Sequence, residues 1–177
     1  EGGVAAVATS SGQTANALAL MNIARNGDHV VAVSSLYGGT VSLFTNTLKK
    51  AGIEITFVTP TATYDEVCAA IRPNTKAIVT THGSNLTGNL LDIGRIGNLA
   101  RERGLIYIVD ASQTAGVFHI DVQKMGIDIL CFTGHKGMLG PQGTGGMYVS
   151  PEVKVRPLLS GGSGVQTYLR STPAPAR

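Results

Sequence analysis

Short apolar runs rich in β-branched residues recur along this chain, separated by stretches with helical rather than hairpin patterning, and this alternation limits the fold more than any other feature. The runs at residues 29–33, 53–58, 77–81, 105–109 and 127–132 read as buried strands, and that at residues 4–8 is strand-like. Between two of them, Ile93, Ile96, Leu99 and Ala100 repeat at i, i+3, i+6 and i+7, placing them on one face of a helix that stops at Gly104. Ala17, Leu20, Met21 and Ala24 repeat that logic in an earlier helix that begins near Thr14 and ends near Gly27. A third helical stretch runs over residues 63–71. Strands joined by helices need crossover connections, so the expected fold is α/β: three layers, with a mostly parallel sheet covered on both faces.

Composition supports one globular unit. The 177 residues are 43% hydrophobic and only 14% charged, enough apolar material for a core. The net charge of +3 is spread without any block of like charges, which gives a nucleic-acid partner little support. Cys68 and Cys131 stand far apart with no CxxC or Cys/His pattern, so neither a disulfide framework nor a zinc site is expected, and a reducing, cytoplasmic setting fits. No apolar run approaches the roughly 18 residues of a membrane span, and no signal peptide is visible. The chain opens on Glu1-Gly2-Gly3 without an initiator Met, so the natural start is expected upstream, and residues 165–177 read as a tail.

The 23 glycines cluster in short motifs, which suggests tight turns around a ligand. Three constellations carry chemistry. Thr9-Ser10-Ser11-Gly12-Gln13-Thr14 lies between a strand and a helix, where free main-chain N–H groups and hydroxyls suit a phosphate; an ordinary Ser/Thr cap reads the same way. Asp110 ends a hydrophobic strand, the edge at which open α/β sheets bind ligands. A carboxylate there can cap a helix or bind a metal, but with Gln113 three residues on it also suits a cationic ring nitrogen. Lys136 follows a strand and is surrounded by glycines in Thr133-Gly134-His135-Lys136-Gly137-Met138-Leu139-Gly140. Alone it would be a surface lysine; in this setting it suits a nucleophilic, Schiff-base-forming amine. A nucleotide site is weakly supported, since neither GxxxxGK[ST] nor a helix-opening GxGxxG is present.

Taken together, Thr81-His82-Gly83-Ser84-Asn85-Leu86-Thr87-Gly88, Val109-Asp110-Ala111-Ser112-Gln113-Thr114-Ala115-Gly116 and the run from Thr133 to Gly146 resemble the class V aminotransferase and cysteine desulfurase family over residues 77–164. That resemblance implies the large cofactor domain of the aspartate-aminotransferase-like (fold type I) enzymes, spanning residues 1–164, with pyridoxal 5′-phosphate as cofactor and a small amino acid as substrate. It implies that Lys136 holds the cofactor as a Schiff base and that Asp110 pairs with the pyridine nitrogen. Gln113 would bond the phenolic oxygen, Thr133 and His135 the phosphate, and Asn85 would lie near the substrate. Ser163, in Ser160-Gly161-Gly162-Ser163-Gly164, would reach the phosphate of a neighbouring subunit, which makes a homodimer the expected assembly.

Residues 1–76 resemble a sister branch, the Cys/Met-metabolism family and its O-acetylhomoserine sulfhydrylases, through Thr9-Ser10-Ser11-Gly12-Gln13, Gly27-Asp28-His29-Val30-Val31 and Ser35-Leu36-Tyr37-Gly38-Gly39-Thr40. By that resemblance Gly12 and Gln13 cradle the phosphate and Tyr37 stacks on the ring, where class V enzymes usually place a histidine. The expectation is a switch between two branches of one fold near residues 71–77, with a sulfhydrylase or C–S lyase as the rival activity and a cofactor-binding domain of little activity as a rival of another class. The family's carboxylate-gripping arginine and sulfur-accepting loop cysteine belong to a C-terminal small domain expected to be absent here; Arg156 and Arg170 read as surface residues, Cys68 and Cys131 as small core residues, and His29, His82 and His119 as structural or merely polar.

Overall fold

A computed structural model describes residues 5–156 and 158. Seven strands form one sheet: β1 (Ala5–Thr9), β2 (His29–Val33), β3 (Glu54–Val58), β4 (Thr75–Thr81), β5 (Ile106–Asp110), β6 (Ile129–Thr133) and β7 (Gly145–Val149), in the spatial order β1-β7-β6-β5-β4-β2-β3. Every pairing is parallel except those of β7, which runs antiparallel to both β1 and β6. The six expected strands all form, within one or two residues of their expected limits, but β3, at the sheet edge, is only partly buried. Strand β7 is an addition: its Gly145-Gly146 start reads in sequence as part of a glycine turn.

Helix α1 (Gly12–Ile23) follows β1, α2 (Gly38–Ser42) runs on into a π-helical stretch (Leu43–Leu48), and α3 (Tyr64–Ala70) and α4 (Ile93–Glu102) follow. Local chemistry fixes their ends. Thr63 and Glu66 form a reciprocal capping box at the start of α3, the Asp92 carboxylate accepts the Arg95 N–H at the start of α4, and Gly104 takes φ +63° just past its end.

Alternate strand residues feed two apolar layers. Val30, Ala32, Val79 and Ile108 face α1 and the π-helical stretch, meeting Ala15, Leu20, Phe44 and Leu48. Val31, Ile78, Tyr107 and Val109 face the other way, onto Ile93, Leu99 and Ala100 of α4 and the partly buried Val67 and Cys68 of α3. Strand β2 is buried along its whole length, as expected for a sheet covered on both sides.

The expected inner face of α1 is corrected. Its buried residues are Gly12, Ala15, Asn16, Ala19 and Leu20, whereas Met21 is exposed. The helix also starts at Gly12 instead of Thr14, capped by Ser11, and closes at Ala24. Because polar and apolar residues alternate round α1 without segregating, its hydrophobic pattern does not select a face; the close packing of Gly12 and Asn16 against the sheet does.

Candidate active site

The parallel strands β1, β4, β5 and β6 end along one edge at Thr9, Thr81, Asp110 and Thr133, and β7 begins on that edge at Gly145. Register aligns these ends: Thr81 lies opposite Asp110, Asp110 opposite Cys131, and Gly145 opposite both Thr9 and Thr133. A cavity of about 330 Å³ opens there. It is lined by Gly12, Gln13, Tyr37, Asn85, Asp110, Gln113, Thr133, His135 and Lys136, all nine of the expected site residues within the described part of the chain. Ser163 lies outside the described residues. Ser11, Thr40, Thr81, Gly83 and Ser112 complete the lining.

Asp110 is only 5% exposed, and each of its carboxylate oxygens is held by a neutral donor. Oδ1 accepts the Ser112 N–H at 2.9 Å, and Oδ2 accepts the Asn16 Nδ2–H at 2.8 Å. A buried carboxylate held by hydrogen bonds, with no cationic side chain bonded to it, is stabilised further by a cationic ligand. Behind it, burial and the Asp110 charge push the Cys131 thiol well above its ordinary range, so this sulfur stays protonated and serves as packing.

The opposite wall is the start of α1. The Ser11 hydroxyl accepts the Thr14 N–H at 3.0 Å, and helix geometry leaves the N–H groups of the first turn without partners along the helix. Gly12 is required by proximity: a Cβ there would sit 2.5 Å from Ser112 Oγ and 3.3 Å from Thr133 N. Gln13 spends its side chain locally, donating to the Gly39 carbonyl at 2.7 Å, so its remaining contribution to an anion cradle is main-chain N–H. Thr133 is buried, with its hydroxyl 2.8 Å from His135 Nδ1.

Tyr37 stands at the rim, 54% exposed. Its ring lies across Gly39, where a Cβ would come within 2.7 Å of Tyr37 Cε1, so that glycine gives the flat aromatic its place. Asn85 is exposed and Gln113 half-buried; their side chains make no hydrogen bond within the described residues. Lys136 is half-buried in a turn closed by Gly140 N–H to Gly134 O (2.8 Å) and Leu139 N–H to Lys136 O (2.9 Å), and it forms no salt bridge among the described residues.

The histidines other than His135 are structural or peripheral. His29 is fully buried between the hydroxyls of Thr75 and Thr56, and burial, aided by the Arg72 charge, lowers its pKa. His82 bonds Thr114 at 2.9 Å and meets Phe118 edge-on, its pKa lowered by burial. His119 is exposed. Cys68 is half-buried against the α3/α4 layer, 3.1 Å from Arg103 Nη2. The sequence reading passed over Asn16, whose signal is its place four residues after Gly12, one turn along the same helix face.

The chain is 35% identical over 177 aligned residues to the cysteine desulfurase IscS of Pseudomonas entomophila (strain L48), an alignment covering 94% of this chain and 43% of that protein. It thus spans less than half the length of the curated relatives it matches. Among solved structures, a putative O-acetylhomoserine (thiol)-lyase from Campylobacter jejuni, which contains a pyridoxyl-lysine phosphate, superposes with a TM-score of 0.77 at 30% identity, over 85% of this chain and 38% of that one. The apo cysteine desulfurase of Thermococcus onnurineus superposes with a TM-score of 0.73 at 26% identity, over 83% and 38%. Both branches suggested by the sequence are therefore represented, and the fold is that of fold type I pyridoxal-phosphate enzymes. The aminotransferase class-V family matches residues 5–172, a span that includes residues 71–77, and the chain belongs to that family.

Proposed function

We propose that this edge of the sheet holds pyridoxal 5′-phosphate for chemistry on an amino acid of the cysteine desulfurase type. The observation that carries the reading is the pairing of a buried, neutral-donor-bound Asp110 with a Lys136 free of salt bridges in the same cavity. The residues fit the group. Gly12, whose missing side chain lets the start of α1 lie against Ser112 and Thr133, brings the α1 N-terminus to the cavity wall where a phosphate would sit; Thr133 and His135 supply further polar atoms; Tyr37 offers a flat face to the ring. Bound there, the cofactor would supply an electron sink for a carbanion at the substrate's α-carbon.

The chain's own residues then have distinct tasks. Lys136 Nζ would hold the cofactor covalently and, when free, would carry a proton to or from the substrate's α-carbon. Asp110 holds the ring nitrogen protonated by its negative charge. Gln113 and Asn85 have unspent side chains for the phenolic oxygen and the substrate. No arginine lines the cavity among the described residues, and without a bidentate grip on the substrate carboxylate, positioning suffers by about a hundredfold in rate. The unit proposed here is therefore the cofactor-holding part of the enzyme, with residues 1–164 as its extent, working as a homodimer in a reducing, cytoplasmic compartment. A sulfhydrylase or C–S lyase reading is favoured by one observation: the platform residue is Tyr37, as in that branch.

Borohydride treatment of the cofactor-loaded protein tests the reading. A reduced adduct located on Lys136 by mass spectrometry, and lost in Lys136→Ala, is the expected result; an adduct on Lys76 or Lys154 overturns it. With cysteine or O-acetylhomoserine, turnover should fall below about 1 per second, the low end of ordinary enzymes.

A further inference from the structure

Asn16 is fully buried in the interior of α1, a position where an apolar side chain is the usual occupant. Asparagine is a poorer helix former than alanine or leucine. Its Oδ1 is buried without a hydrogen-bond partner among the described residues, a destabilising arrangement that an apolar side chain would avoid. What the residue does have is two acceptors on one nitrogen. Nδ2 donates to Asp110 Oδ2 at 2.8 Å and to the Gly12 carbonyl at 3.1 Å.

Gly12 opens the helix turn that faces the anion end of the cavity, and Asp110 stands at the other end, on β5. One planar amide therefore joins the two walls. Its neutrality matters as much as its reach. A lysine or arginine at this position would neutralise Asp110 and compete with a cationic ring, whereas an amide fixes the carboxylate and leaves its charge available. Ser112 N–H holds the other oxygen in the same charge-neutral way.

We infer that Asn16 is a positioning residue for the cofactor, setting the orientation of the Asp110 carboxylate and its span from the phosphate turn at Gly12. The inference rests on the reading that Asp110 meets the pyridine nitrogen.

The test uses the purified chain titrated with pyridoxal 5′-phosphate, followed by absorbance and by equilibrium dialysis across pH 5.5 to 8.5. Asn16→Ala should weaken binding roughly tenfold, the scale of one hydrogen bond to a charged group, and shift the protonation midpoint of the bound chromophore. It should cost nothing further in an Asp110→Ala background, because its effect passes through that carboxylate. Asn16→Asp should bind almost as the parent does at the acid end, where the shared proton restores a donor, and lose affinity as pH rises and two carboxylates oppose each other. Helix packing alone would produce neither that pH dependence nor the absence of an effect beside Asp110→Ala. Parent-like binding and spectrum in Asn16→Ala, with Asp110→Ala impaired, would overturn the inference and leave the role of Asp110 standing. An additive loss in the double variant, or an Asn16→Asp protein that fails to bind at any pH, would also overturn it. If Asp110→Ala binds and absorbs as the parent does, the underlying reading fails together with the inference.

Discussion

Two aspartates at opposite ends of the same pair of strands behave very differently. Asp110 closes β5 on the cavity of about 330 Å³. Asp128 precedes β6 at the other end, beside a larger cavity of about 560 Å³. The larger space is the less promising site. Asp128 Oδ2 accepts the Tyr107 N–H at 2.8 Å, so its charge serves the sheet's own main chain, and Arg101, Glu152 and Lys154 line that cavity with both signs of charge. Burial, with the nearby Glu152 adding to it, raises the Asp128 pKa. At the Asp110 end a helix N-terminus lines the cavity and Lys136 forms no salt bridge among the described residues. Strand direction, more than volume, marks where a ligand belongs, because helix N-termini and diverging loops gather at the carboxyl ends of parallel strands.

That contrast can be broken most directly by substituting each aspartate. Asp110→Ala should lower pyridoxal-phosphate affinity by about a hundredfold, near 3 kcal/mol, since it removes a buried charge and strands two donors; Asp128→Asn should leave affinity within about twofold, as a neutral acceptor for one N–H is retained. Equal losses by dialysis would erase the distinction between the two ends.

Glycines sharpen the comparison at a smaller scale. A Cβ on Gly145 would lie 2.6 Å from the Ser11 carbonyl carbon and 2.9 Å from Gly12 N, both main-chain atoms that move only with the start of α1. Gly145→Ala should therefore cost about 1–3 kcal/mol of stability and weaken cofactor binding as well. Gly126, with φ +64°, instead meets Arg101 Nη2 at 2.8 Å, the end of a flexible side chain. Gly126→Ala should cost about 1 kcal/mol through backbone strain, with a lesser crowding of the Gly97 main chain at 3.3 Å and affinity unchanged; denaturant melts run alongside cofactor titrations would separate the two.

The smallest effect expected is a pH dependence at the Asp128 end. With its folded pKa raised, Asp128 contributes stability that is fully present below its unfolded value and is lost as pH rises through the folded value. Asp128→Asn should thus gain on the parent across that window in urea melts, and a constant difference between the two proteins would remove the argument.

Much of this was legible before any coordinates. Buried strands announce themselves because apolar β-branched runs have few other places to go, and α4 does so because charged residues such as Arg95 and Arg101 mark its outer side. The unsegregated polar and apolar residues of α1 hide its inner face, which is set by the fit of Gly12 against Ser112 and the 2.8 Å bond from Asn16 to Asp110. Strand β7 was hidden for a related reason: its first two residues are glycines chosen by close neighbours, Ser11 for Gly145 and the Phe132 ring for Gly146. The lysine, the aspartate and the glycine turn were visible as motifs, whereas the amide that joins two walls of the cavity lies 94 residues from its partner, a separation local patterning does not encode.

The reversed direction of β7 ties the site to the history of the chain. Because β7 starts where β6 stops, the lysine turn is clamped at its base by Gly134 N–H to Thr144 O at 2.8 Å, directly beside the Thr133–Gly145 pair. A slip of one residue in that pairing would turn alternate side chains to the wrong face, and Thr133, Gly145 and the tether of Lys136 would no longer share a floor. A ligand that binds only the correct register stabilises only that register. Cofactor uptake would thereby favour molecules in which β7 has threaded correctly between β1 and β6.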